Sequence, residues 1–93
     1  MIKSFRNKDT ERIWNREPSK RLSAELQRPT LRKLVAVDGG EALQDLRIPP
    51  GNRLEELSGS RHGQMSIRIN NQRRICFIWK DGNAHEVEIV DYH

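Results

Sequence analysis

A chain of 93 residues with 34% hydrophobic content, a mean hydropathy of -0.85 and a single cysteine makes one thinly cored domain, 1–93, and excludes a disulfide framework, a thiolate metal cluster and a membrane-spanning segment. Seventeen Lys and Arg against thirteen Asp and Glu give +4, unevenly spread: ten basic and four acidic residues over 1–37 make +6, and seven basic and nine acidic over 38–93 make -2. The N-terminal half therefore suits nucleic acid, the ribosome or an acidic protein partner, although a solvated helix face yields the same count.

The opening Met1-Ile2-Lys3-Ser4-Phe5-Arg6 lacks the apolar stretch of a signal peptide, so a reduced, cytoplasmic setting without membrane contact is expected. Residues 1–5 read as a first strand. Asp9 is a good N-cap for a helix over 10–16, stopped by Pro18 and anchored by Ile13 and Trp14. Ser23 can cap a second, longer helix in which Leu26, Leu31, Leu34, Val35 and Val37 recur at helical spacing until Asp38-Gly39-Gly40 ends it. Pro29 removes a backbone donor there, which predicts a kink or a helix starting in earnest near Thr30. Residues 41–46 offer one more helical turn, and Ile48-Pro49-Pro50-Gly51-Asn52 is a stiff linker from helix to sheet.

Four strands follow, over 54–57, 64–69, 74–79 and 84–90, with a turn at Asn70-Asn71 and a hairpin at Asp81-Gly82. In the second of these, Met65, Ile67 and Ile69 oppose Gln64, Ser66 and Arg68. The third is apolar on both faces and so central, with Arg74 at its start needing a partner, a cleft rim or an anion. The expected architecture is α+β: an N-terminal strand and two helices packed on one face of an antiparallel sheet.

The sequence ends on Val90-Asp91-Tyr92-His93, an acid, a phenol and an imidazole after an alternating strand. Strand geometry puts Asp91 and His93 on one face and Tyr92 on the other, unless the end curls and gathers all three; the bland reading is a polar tail. Two other histidines, His62 in a turn and His85 at a strand start, are too scattered for a metal-ligand spacing, so neither a metal nor another cofactor is expected. Cys76 reads as a small core residue, and Trp14 and Trp79 as core or interface anchors.

The order of residues is specific along Asn52-Arg53-Leu54-Glu55-Glu56-Leu57-Ser58-Gly59-Ser60-Arg61-His62-Gly63-Gln64-Met65-Ser66-Ile67-Arg68-Ile69-Asn70, then Gln72-Arg73-Arg74-Ile75-Cys76-Phe77-Ile78-Trp79 and Val87-Glu88-Ile89-Val90-Asp91-Tyr92-His93. Together with the opening Met1-Ile2-Lys3-Ser4-Phe5, it closely resembles the HigB-type killer proteins of bacterial toxin-antitoxin modules, a branch of the RelE/ParE superfamily. The resemblance spans essentially the whole chain. It implies a RelE-like, microbial ribonuclease-type fold and a ribosome-dependent mRNA endonuclease that inhibits translation. It also implies neutralisation by a helix-turn-helix antitoxin, with operator DNA reached only through that antitoxin, and catalytic roles for Asp91, Tyr92 and His93. Where some members carry the histidine and lysine of His-Pro-Leu-Lys-Gly, this chain has Glu55 and Ser58.

Metal-independent RNA cleavage needs a base for the ribose 2'-hydroxyl, cations for the phosphorus oxygens and an acid for the leaving 5' oxygen. His93 and Asp91 can supply acid and base, Tyr92 a stacking face, and Arg61, Arg68 and Arg74 guanidinium forks for phosphate. Glu55 and His62 are accessory candidates. Arg61 equally well locks the Gly59 to Gly63 turn, and for His62 plain solvent exposure is the favoured reading. Two other functions stay open: inhibition of DNA gyrase, as in ParE-type relatives of this fold, and a non-catalytic antitoxin-binding module, which Glu55 and Ser58 keep in play.

Overall fold

The computed structural model describes residues 1–91, so the expectations for Tyr92 and His93 lie outside the described residues. Two helices, α1 (Lys8–Trp14) and α2 (Ala24–Gly39), pack on one face of a four-stranded antiparallel sheet of β1 (Glu55–Glu56), β2 (Met65–Arg68), β3 (Arg73–Lys80) and β4 (Asn83–Asp91), in the order β1-β2-β3-β4. The α+β architecture read from the sequence is the one observed. Among the described residues no helix is long and apolar enough to cross a membrane.

Helix α1 starts two residues earlier than expected. Its N-cap is Asn7, not Asp9, and the Asn7 side chain accepts from the Thr10 backbone N–H at 2.9 Å and from the Thr10 hydroxyl at 2.8 Å. Asp9 sits instead in the first turn, favourable for an acid at the positive end of the helix, and pairs with Arg21 at 3.6 Å. In α2, Ser23 holds the N-cap position without a capping bond from its hydroxyl, and the helix runs through Pro29 from Ala24 onward. Tertiary packing overrides the missing donor: Thr30, Leu34 and Val37, one above another along the helix, are buried on the sheet, and Gln27 ties the helix back to the Ser19 and Leu22 carbonyls. Val35, expected in the apolar stripe, is exposed because it lies about 100° around the helix from Leu34.

Core residues Ile67, Ile75, Phe77, Ala84 and Val87 face these helices. Asp81 and Gly82 both adopt positive φ, 53° and 77°, which turns the β3–β4 hairpin in two residues. Further along, β4 carries a bulge: Cys76 pairs with Glu88 and Ile78 with His85, so the single Phe77 faces both Glu86 and Val87. Glu86 takes φ 50° there. The extra residue shifts the alternation, so Ala84 and Val87, three apart, both enter the core, and Glu88 is turned to the opposite face.

The bulge also explains the N-terminal segment. Residues 1–6 run parallel to the outer edge of β4 as two separate bridges, Ile2 with Ala84 and Phe5 with Val87, in place of a continuous ladder. The N–H of Glu86, displaced by the bulge, bonds to the Ser4 hydroxyl at 2.9 Å. Three residues further along β4, the N–H of Ile89 bonds to the hydroxyl of buried Thr10 at 3.1 Å, so α1 holds the end of the strand before Asp91.

Candidate active face

Opposite the helices, paired residues form two polar rows, because strand neighbours share a face. Glu55, Ser66, Cys76 and Glu88 stand side by side across all four strands, and Arg68, Arg74 and Val90 stand beside them. Arg61 reaches over from the short 3-10 turn Gly59–Arg61, whose Gly59 and the following Gly63 both need positive φ, 67° and 90°. All three arginines read as phosphate ligands are therefore on one side of the sheet.

Each is anchored differently. Arg61 donates through Nη1 to Glu88 at 2.7 Å and to Gln64 at 3.1 Å, so it locks no carbonyl of its own turn but ties that turn to β4. Arg74, at the start of the central strand, donates to Glu55 at 3.1 Å. Arg68 is drawn to the β2–β3 turn, bonding the Asn70 carbonyl at 3.1 Å and the Asn71 side chain. Arg6 approaches Glu88 from the N-terminal segment at 3.9 Å. His62 closes the 3-10 turn with an exposed side chain beside Arg61.

Electrostatics follow from this packing. The hydrogen bond that Arg61 donates to Glu88 pushes the Arg61 pKa up, against the opposing effect of burial. Burial pushes the Cys76 thiol up as well, outweighing the pull of Arg74 and Arg61 toward the thiolate. A fully buried thiol kept protonated is a packing residue, not a nucleophile.

Asp91 lies elsewhere. The shifted alternation of β4 puts it with Val87 and Ile89 on the helix side, where it pairs with Arg73 at 3.1 Å and lines a cleft with Asn7, Asp9, Arg21 and Leu22. The structure thus gathers Arg61, Arg68, Arg74 and Glu55 and sets Asp91 across the sheet from them. Glu88, Arg6 and Arg73 were not singled out from the sequence. Only Glu88 left a signal, as an acid inside an otherwise apolar strand end. Among the described residues no three His, Cys, Asp or Glu side chains come together in a way that could hold a metal ion.

Comparison with known proteins gives a family. The family model described as "RelE-like toxin of type II toxin-antitoxin system HigB" matches residues 3–93. Toxin HigB-1 of Vibrio cholerae serotype O1 is 41% identical over 85 residues, which span 90% of this chain and 90% of that protein. An uncharacterized protein of Haemophilus influenzae is 36% identical over 63 residues, 68% of this chain and 60% of that one.

Proposed function

The chain belongs to the HigB-like family of RelE-like toxins of type II toxin-antitoxin systems, and from that premise we propose that it is a metal-independent endoribonuclease that cuts mRNA on the ribosome. As a toxin of such a module it has an antitoxin for partner. The observation that carries the nuclease reading is the polar sheet face, where Arg61, Arg68 and Arg74 offer planar forks within one surface opposite the helices.

In this reading the mRNA backbone lies along that face. A 2'-hydroxyl loses its proton to a general base and attacks the adjacent phosphorus, the bond to the 5' oxygen breaks, and a general acid returns a proton to that oxygen. The guanidinium groups hold the charge that builds on the phosphorus oxygens. His93 is assigned proton transfer at the scissile bond and Tyr92 the stacking of a base, whereas Asp91, on the helix side, serves the site by tying the strand end to Arg73, as Thr10 does through Ile89. Glu55 occupies Arg74 until substrate arrives. Glu55 is half exposed, so a phosphate that takes its place returns the carboxylate to water.

The antitoxin is proposed to be a helix-turn-helix protein that joins the toxin to operator DNA, and the setting is proposed to be the cytoplasm. Mapping of mRNA 5' ends after induction tests the function: the expected result is cuts linked to codons in translated messages, lost in His93→Ala. Altered DNA supercoiling with intact mRNA would replace this reading by gyrase inhibition, and neither effect would leave a non-catalytic antitoxin-binding module.

A further inference from the structure

Glu88 is an anomaly on a surface that is to receive RNA. A carboxylate there repels phosphate, and its side chain is only 12% exposed, so its charge is also poorly hydrated. It is nevertheless placed with care by the fold: the β4 bulge turns it out of the core, Cys76 flanks it on the central strand, and Arg61 and Arg6 converge on the same Oε1.

We infer that Glu88 is a positioning residue that fixes the Arg61 guanidinium at the height and angle needed to grip the scissile phosphate, an assignment that rests on the proposed nuclease reading. Arg61 comes from a short turn with two left-handed glycines, and by itself such a side chain samples many rotamers. Glu88 and Gln64 both hold it through Nη1. A guanidinium carries five donors, so fixing one nitrogen still leaves it able to grip phosphate bidentately with the others. The adverse charge of Glu88 is thereby neutralised by the cation it orients, and the rotamer entropy of Arg61 is lost during folding and not during binding.

The discriminating variant is Glu88→Gln, which keeps the shape but replaces the charge-assisted bond to Arg61 with a weaker neutral one and puts an amide donor in place of one carboxylate oxygen. Purified wild-type and variant toxins are compared for single-turnover cleavage on ribosomes programmed with mRNA, and for binding to the same ribosomes carrying mRNA blocked by 2'-methoxy groups. Cleavage should fall roughly 10- to 100-fold, while the blocked complex is bound equally or more tightly, because a negative charge has left a basic surface. A residue that only stabilised the fold would lower the melting temperature and leave cleavage per folded molecule unchanged. Arg61→Ala combined with Glu88→Gln should be no slower than Arg61→Ala alone, since Glu88 acts through Arg61. Glu88→Asp keeps the charge, shortens the reach by one methylene and should also slow cleavage, and it serves if Glu88→Gln does not fold. Wild-type cleavage by a folded Glu88 variant, or additive losses in the double variant, overturns the inference while leaving the nuclease intact. Normal cleavage by Arg61→Ala likewise overturns the inference and leaves the nuclease intact, whereas a wild type that cleaves nothing brings down the functional reading itself.

Discussion

Individual side chains on the sheet face differ in what they can be asked to do. Arg74 sits at the start of the central strand with its side chain four-fifths buried, where a planar fork can turn from Glu55 to a phosphate. Arg74→Lys keeps the charge but not the fork, so cleavage should fall on the order of 10²-fold with little change in melting temperature, measured by single-turnover assay and thermal scan. A fall in stability with unchanged activity per folded molecule would make Arg74 structural. Cys76 gives a pH prediction. Its folded pKa is raised by burial, so below the ordinary thiol value of about 8.5 both folded and unfolded states hold the proton and stability is full. As pH rises beyond that, the unfolded chain releases the proton first and unfolding is favoured. Denaturation midpoints should therefore drop in alkaline buffer, less so in Cys76→Ser, and the native thiol should resist alkylation at neutral pH.

At the level of elements, the decisive piece is the junction of α1 with β4. Asn7, the cap of α1, accepts from the Thr10 hydroxyl, and that hydroxyl in turn accepts from the Ile89 N–H, so one buried side chain links the helix cap to a strand end. Thr10→Val is nearly isosteric but leaves the Ile89 donor and the Asn7 acceptor short of a partner, at a cost of about 1–3 kcal/mol in chemical denaturation. Thr10→Ser should recover most of it. Faster hydrogen exchange at the Ile89 amide in the valine variant would show that the strand end had loosened; unchanged exchange would mean that the threonine acts by packing alone.

On the scale of the whole molecule, charge and architecture divide the work. The basic excess of 1–37 lies on the helical side, where Arg12 and Arg32 are exposed, whereas the sheet face holds its arginines against Glu55 and Glu88. We propose that an antitoxin of acidic or mixed charge is steered to the helices and leaves the arginine face open, so that, on the ribosome-dependent reading proposed above, it would block toxicity by bulk. Charge reversal at Arg12, Arg16 and Lys33 should weaken the complex and make it more salt-sensitive, as read by titration at several ionic strengths. Lys33 also bonds Asn52, so its reversal should lower stability as well and is to be compared with Arg12 alone. A large affinity loss from His93→Ala would instead place the antitoxin over the catalytic end.

The two helices, the four antiparallel strands in their order, the Asp81-Gly82 hairpin and the family were legible in the sequence, because periodicity, turn chemistry and a long ordered run of residues are local properties of the chain, whereas the strand expected over 1–5 is only two isolated bridges. The arginines were legible too, as cations that a sheet must pair or expose. Which face each residue joins was decided only by the tertiary structure. Alternation counted along β4 fails at the bulge, since one extra residue against Phe77 reverses every side chain after it; that reversal brings Glu88 to Arg61 and sends Asp91 to Arg73. Likewise the helix through Pro29 and the cap at Asn7 depend on what α1 and α2 pack against, and contacts between residues as distant as Thr10 and Ile89 leave no mark on the local pattern of either.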